Sequence, residues 1–234
     1  MANVLSVVRM ELRANVDNEY KAGSRKYFKE EISLYGVRTP VVRQLLRKHF
    51  PKGLPEKGLV ELCEKLLGSG KMEEGTIAFG WAERAKLWEP EHLALYEKWV
   101  SRYVSNWGWC DSLCGGVLGR LMVENPEMME RTEKWARSPN MWLRRASAVS
   151  LIPATRKMDI TRQVFRTTGL LMYDKQDLVQ KGAGWLLKET ANNPRLKRRV
   201  LDFLLLYKDA PRTLLRYATE NMEREEKAGV LGWE

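Results

Sequence analysis

Apolar residues recur at helical spacing along nearly the whole chain, and no segment reads as a strand. The stretch EKGLVELCEKLLG (56–68) is typical, since its apolar positions fall on one helical face and a glycine ends it. Thr39 and Pro40 supply a cap and a first turn for the stretch that follows them. Isoleucine occurs only four times, whereas Leu, Ala, Glu, Lys and Arg are abundant. The pattern predicts an all-α protein.

Proline, asparagine and aspartate mark the ends of the predicted helices, in the strings LWEPE, ENPE, SPN, NNP and DAP. Two helices are predicted to begin near residues 3 and 18. Further helices are predicted over 41–50, 56–68, 72–87, 90–104, 106–123, 126–137, 140–152, 158–172, 175–191, 195–208 and 211–224. The C-terminal AGVLGWE, with Trp233, is interpreted as a packed or frayed tail.

These helices pair at intervals of about 35 to 43 residues, marked by Trp107, Trp142 and Trp185. The interval predicts a short, curved solenoid of HEAT-like or armadillo-like repeats with one concave face. No linker rich in Gly, Ser or Pro interrupts the chain, so residues 1–234 are predicted to form one domain.

Composition narrows the class of protein. With 44% hydrophobic and 30% charged residues, the 234-residue chain can bury a core. The sequence contains no run of 18 apolar residues, so no membrane span is predicted. Arg9 and Glu11 interrupt the apolar N-terminus, which argues against a signal peptide. Cys63, Cys110 and Cys114 form no Cys-x-x-Cys pair and are predicted to be buried thiols of a cytoplasmic protein.

The charge is strongly uneven. Residues 137–216 hold 17 Lys and Arg against 6 Asp and Glu, whereas the rest of the chain holds 23 against 24. This asymmetry favours one basic surface and nucleic acid as the anionic partner, although solvated helix faces are the simpler explanation for any single cluster. With only two histidines, the chain offers little for a zinc site or a histidine-dependent triad.

Trp107 and Asp111 in SNWGWCDSLCGG are the most unusual pair. If Ser105 or Asn106 caps the helix, both side chains project from one side, off the apolar stripe, with Gly115 one turn further along. A glycine there would allow a ligand to approach the backbone closely. The alternative is that Asp111 caps a helix that begins later, with Trp107 in a loop against the core.

Two later residues are also unusual for a core. Arg145 borders a packed face and needs an anionic partner, either a buried carboxylate or a phosphate. Trp185 lies opposite the apolar stripe of its helix, in line with Leu178 and Lys181. It is either a partly exposed packing residue or a stacking surface for a sugar or base.

Four separated strings together resemble the AlkD family of HEAT-like-repeat alkylpurine DNA glycosylases. They are YGVRTPVVRQLL (35–46), NWGWCDS (106–112), NMWLRRA (140–146) and QKGAGWLLKE (180–189), and the resemblance covers nearly the whole chain. It implies a C-shaped stack of repeats that holds duplex DNA in a basic groove.

Site residues follow from the resemblance position by position. It implies that Asp111 is the catalytic aspartate, that Trp107 and Trp185 flank the deoxyribose of the lesion, and that Arg145 grips a phosphate. It places further residues at the DNA surface, namely Tyr27, Thr39, Pro40 and Arg43. Lys181 is also expected to bind DNA. Relatives often carry glutamine where this chain has Arg38, which can alter contacts with the opposite strand.

The resemblance implies hydrolysis of the N-glycosidic bond of cationic alkylpurines, such as 3-methyladenine and 7-methylguanine, without a lyase step. A monomer that needs neither metal nor cofactor and works at the nucleoid in the cytoplasm is expected. Two alternatives stay open: a non-catalytic solenoid that binds damaged DNA, and a protein-interaction scaffold. The scaffold predicts that residues 137–216 spread their charge around the outside.

Overall fold

The computed structural model describes residues 2–232, and within them the backbone forms helices and a single isolated bridge between Ser33 and Lys71. The α-helices are α1 (Ala2–Ala14), α2 (Asn18–Arg25), α3 (Thr39–Lys48), α4 (Glu56–Leu67), α5 (Met72–Arg84), α6 (Leu93–Arg102), α7 (Trp107–Gly115), α8 (Val117–Glu124), α9 (Arg131–Ala136), α10 (Met141–Val149), α11 (Ile152–Thr155), α12 (Thr161–Leu171), α13 (Asp177–Ala191), α14 (Pro194–Leu205), α15 (Arg212–Ala218) and α16 (Arg224–Leu231). The prediction of an all-α fold is confirmed.

The helices form two layers. In the first, here called the pocket layer, α3, α5, α7, α10, α13 and α15 each pack on the next. The second layer comprises α4, α6, α9, α12, α14 and α16, which are joined in part by side-chain contacts. Lys98 on α6 bonds Glu64 on α4 at 2.6 Å, and Arg131 on α9 bonds Glu97 on α6 at 2.9 Å, each pair 34 residues apart. The chain is therefore a stack of helical repeats, and its assignment to the HEAT type stays a prediction.

One connected apolar core runs from Leu5 to Leu231. Tryptophans anchor it: Trp81, Trp99, Trp109 and Trp135 are at most 1% exposed. The three cysteines are buried and unbridged, as predicted. None of the helices described in residues 2–232 has the length and apolar character needed to cross a membrane. That residues 1–234 form one domain stays a prediction.

Several predicted helix boundaries are wrong. The stretch 106–123 is two helices, because Gly116 leaves helical geometry with φ −95° and ψ −121°. The stretches 90–104 and 126–137 each begin with a 3-10 turn, at Pro90–His92 and Pro126–Glu130. The described part of the C-terminal tail, residues 228–232, forms the end of helix α16 and its C-cap, and Glu223 and Glu226 cap the start of that helix reciprocally. Its Val230 and Leu231 are buried, whereas Trp233 lies outside the described residues.

Candidate active site

Helix α7 begins at Trp107 because Asn106 caps it. The Asn106 side chain accepts a hydrogen bond from the backbone N–H of Trp109 at 2.9 Å, and its backbone is extended. Trp107 and Asp111 therefore lie one turn apart on the same side, while Cys110 and Cys114 of the apolar stripe are fully buried. The alternative in which Asp111 caps a later helix is wrong.

A cavity of about 300 Å³ collects most of the predicted site residues. Its walls come from α7, α10, α13, α15 and the segment after α2. The lining residues are Tyr27, Trp107, Asp111, Arg145, Leu178, Lys181, Trp185 and Tyr217. All three predicted catalytic residues and three of the predicted DNA-binding residues thus meet in one place, although they are spread over 158 positions of sequence.

Arg145 holds the Asp111 carboxylate with two hydrogen bonds. Its Nε donates to Oδ1 at 2.9 Å and its Nη2 donates to Oδ2 at 2.8 Å, while Nη1 donates to the backbone carbonyl of Leu178. The Arg145 side chain is 6% exposed and that of Asp111 is 20% exposed, so the acid still reaches the cavity. Of the two partners expected for Arg145, the structure shows the carboxylate, and that carboxylate belongs to Asp111. Its phosphate contact stays a prediction.

Burial and the guanidinium act against each other on Asp111. Burial raises the pKa of its carboxyl, and the charge and hydrogen bonds of Arg145 lower it by less, so that the pKa stays above its ordinary value of 3.8. Burial lowers the pKa of the Arg145 guanidinium, but the charge and hydrogen bonds of Asp111 raise that pKa by more, so Arg145 remains charged. Arg145 therefore offsets part, but not all, of the cost of burying the ionised acid.

A glycine on α13 makes room for this pair. A Cβ atom at Gly182 would lie 3.3 Å from Cγ and 3.5 Å from Nη1 of Arg145. Gly115, by contrast, is exposed, and apart from its two chain neighbours and the backbone of its own helix no protein atom lies within 4 Å of the Cβ position, which leaves the open approach expected from the sequence. The helix row Trp107–Asp111–Gly115 thus ends in free space.

Neighbouring aromatic residues that the sequence did not single out support the site. The Phe28 ring stacks on one face of Trp107, with centroids 4.7 Å apart and planes 14° apart. Tyr217 lies beside Lys181, whose Nζ is 6.0 Å from the ring centroid. No spacing signal could have found these residues, because Phe28 lies in the segment after α2 and Tyr217 lies on α15, both distant in sequence from α7.

The remaining predicted DNA-binding residues, all at the start of α3, do not line this cavity. Thr39 lines an adjoining apolar cavity of about 280 Å³, which shares Tyr27 and Trp107 with the first. Arg38 bonds Asp17 at 2.7 Å. Pro40 is exposed in the first turn of α3, and Arg43 is exposed on the same helix. Tyr27 is 79% exposed and connects the two cavities.

The basic residues of 137–216 are divided between the two layers. Helices α10, α13 and α15 of the pocket layer carry six of the 17, and α12 and α14 of the second layer carry another six. The remaining five lie in connecting segments. Charge on the second layer is what the scaffold alternative predicts, so charge alone does not decide between the functions.

Fold and site together define a class: an all-α helical-repeat protein that presents an ion-paired acid beside two tryptophans in an open cavity. The chain belongs to the family of DNA alkylation repair enzymes, whose family model matches residues 8–222. Among residues 2–232, no group of three or more His, Cys, Asp and Glu is placed to hold a metal ion.

The fold is similar to that of a solved structure. It is described as a predicted DNA alkylation repair enzyme from Enterococcus faecalis, and it superposes with a TM-score of 0.77 at 15% sequence identity. The match covers 90% of this chain and 98% of that chain. Comparison with curated proteins gives no match.

Proposed function

We propose that this protein is a monofunctional DNA glycosylase that hydrolyses the N-glycosidic bond of cationic alkylpurines, such as 3-methyladenine and 7-methylguanine, in duplex DNA. The observation that carries the proposal is the Asp111 carboxylate, which lines one cavity with Trp107 and Trp185. Membership of the DNA alkylation repair family supports the substrate class.

The chemistry suits these three side chains. An alkylated purine that already carries positive charge is a good leaving group, so the main task is to stabilise the positive charge that grows on the deoxyribose. A fixed carboxylate does so electrostatically and can orient the attacking water. Tryptophan faces attract the same cationic atoms. No step requires a lysine nucleophile, a metal or an organic cofactor.

Arg145 serves Asp111 directly in this mechanism. Two hydrogen bonds fix the carboxylate, and the adjacent positive charge favours its ionised form. A guanidinium has five N–H donors. Three of them are used here on Asp111 and Leu178, which leaves two for the phosphate contact that the family resemblance implies.

Duplex DNA is the proposed partner of a monomeric enzyme at the nucleoid. Tyr27, Lys181 and the exposed residues at the start of α3 would contact its backbone beside the lesion. The proposed backbone contacts at α3 are Arg38, Thr39, Pro40 and Arg43. Phosphate contacts of this kind position the duplex without reading its sequence, so specificity would come from lesion charge and bond lability.

Release of free base tests the proposal. Methylated duplex DNA is incubated with the protein, and both the free purine and the integrity of the strand are measured. We expect free 7-methylguanine or 3-methyladenine and an unbroken abasic strand. Strand cleavage at the abasic site would contradict the monofunctional assignment.

One observation favours a second candidate, a non-catalytic protein that binds damaged DNA. Both oxygens of Asp111 are already bonded to Arg145, which partly neutralises the acid. This candidate predicts salt-sensitive binding to methylated duplex without any release of base.

A further inference from the structure

The indole N–H of Trp185 donates its hydrogen bond to a side chain that does not line the cavity. Its Nε1 donates to Oε1 of Glu189 at 3.1 Å, one turn further along α13. An indole has only this one polar hydrogen. A ligand in the cavity therefore meets the ring of Trp185 and not its N–H.

Glu189 is an anion held in a mostly buried position. Its side chain is 14% exposed, and its Oε2 accepts bonds from Nη2 and Nε of Arg156 at 2.8 and 3.3 Å. Burial raises the pKa of the Glu189 carboxyl, but hydrogen bonds from Arg156 and Trp185 and the nearby positive charges lower it to below its ordinary value of 4.5. At neutral pH the indole thus donates to a carboxylate.

A hydrogen bond to a charged acceptor is stronger than one to a neutral acceptor. It fixes the orientation of the ring, and the negative charge behind the N–H increases electron density on the ring face. Attraction between a cation and an aromatic face depends on that density. Arg156 cancels only part of the effect, because its side chain is 64% exposed and water screens its charge.

We propose that Glu189 is a positioning residue for base release, which orients the Trp185 indole in the cavity and, as an anion, strengthens the attraction of its face for the cationic sugar. The inference rests on the proposed glycosylase function. Trp107 is supported differently, by the Phe28 ring stacked on it. The two tryptophans would therefore respond differently to loss of a nearby carboxylate.

The test is Glu189→Gln, which keeps an acceptor for the indole but removes the charge. Glu133→Gln is the matched control, because Glu133 is 17% exposed and pairs with Arg166 at 3.0 Å between α9 and α12, away from the cavity. Each variant is assayed for kcat and KM on a duplex with one 7-methylguanine. The indole N–H resonances are recorded with ¹⁵N-labelled tryptophan, and Trp185→Phe identifies the signal of Trp185.

We expect Glu189→Gln to lower kcat about three- to tenfold, which is part of a cation–π contact whose full value at a desolvated site is about 30-fold, with KM changed less than twofold. The Trp185 N–H signal should move upfield, and Glu133→Gln should leave both readouts unchanged. Glu189→Leu, which removes the acceptor as well, should lower kcat further.

Equal kcat in Glu189→Gln and the wild-type protein would overturn the inference while leaving the proposed function intact. An equal loss of kcat in Glu133→Gln would also overturn it, since the effect would then be one of general stability. A wild-type protein that releases no base would overturn the proposed function and this inference with it.

Discussion

At the residue scale, Asp111 must be ionised to stabilise a sugar cation, yet its surroundings favour the protonated form. Its pKa lies above the ordinary value because of burial, even with Arg145 bonded to both oxygens. Since the folded protein binds this proton more tightly than the unfolded chain does, the ionised acid opposes folding above that pKa, and the opposition is relieved as pH falls through it. Catalytic activity should be lost as pH falls through the same pKa, because the protonated acid no longer stabilises the sugar cation.

Arg145→Met should therefore move the acidic limb of the pH–rate profile to higher pH, because the carboxylate loses the charge that favours its ionised form. Removing one partner of a buried pair costs about 3–5 kcal/mol, and we expect the lower end because Asp111 is partly exposed. The rate of base release is measured from about pH 4 to about pH 9, a range that runs from the ordinary carboxylate pKa to above neutral pH. Thermal unfolding measures the loss of stability.

Arg144→Met is the control for this prediction. Arg144 pairs with Asp174 at 2.6 Å, and its pair lies outside the cavity. It should lower stability without moving the acidic limb. An Arg145→Met profile that coincides with that of the wild-type protein would refute the assigned role of the guanidinium.

The sequence predicted part of this arrangement. Helical spacing placed Trp107 beside Asp111 and singled out Arg145 and Trp185, and the family resemblance assigned all four residues to one site. It did not predict that Arg145 would bind Asp111, because their contact joins neighbouring repeats and depends on how α7 and α10 stack. Glu189 escaped notice for another reason: an i, i+4 tryptophan–glutamate pair is unremarkable until the cavity shows which face of Trp185 is free.

At the scale of elements, the end of α7 leaves open space one helical turn beyond Asp111. The helix ends at Gly115, and Gly116 then turns the chain into α8. Sequence periodicity continues across this turn, since Cys114 and Val117 are both buried, and so the pattern predicted one helix. Backbone geometry at a glycine pair leaves no trace in apolar spacing.

Gly115→Ala tests whether the substrate uses the open space there. The added methyl group meets no protein atom within 4 Å, so the variant should fold and gain about 0.5–1 kcal/mol of stability. If DNA approaches this turn, affinity for methylated duplex should fall about tenfold, which corresponds to roughly 1.4 kcal/mol. Thermal unfolding and equilibrium binding measure the two effects.

Gly229→Ala provides the comparison, because this glycine is also helical, exposed and open, but lies on α16 away from the cavity. It should give a similar gain in stability and no change in affinity. Unaltered DNA binding by Gly115→Ala would show that the backbone at the end of α7 is not approached.

At the scale of the whole molecule, the fold distributes over two layers the basic residues that the sequence groups in one segment. The sequence indicated a basic C-terminal segment, but its helices alternate between layers, and this divides the charge. Net charge and segment counts carry no information about which layer a helix occupies. The stacking order, which depends on long-range packing, supplied that information.

The cations of the pocket layer, and not those of the second layer, should therefore displace counterions from DNA that is bound at the cavity. Each phosphate contact contributes about 0.9 to the slope of log affinity against log salt. Arg43→Ala, at the start of the pocket layer, should reduce the slope by about one. Arg195→Ala, exposed on α14 of the second layer, should leave it unchanged. The reverse result would place the DNA on the second layer and favour a scaffold role for the cavity side.

The central claim is that the Asp111 carboxylate stabilises charge as the glycosidic bond breaks, and single-turnover base release by Asp111→Asn measures it most directly. Asp174→Asn is run beside it, since Asp174 pairs with the adjacent Arg144 outside the cavity. The account predicts release at least about 100-fold slower for Asp111→Asn, the scale of losing one electrostatic stabiliser, and a near wild-type rate for Asp174→Asn. Base release by Asp111→Asn at the wild-type rate would contradict the account.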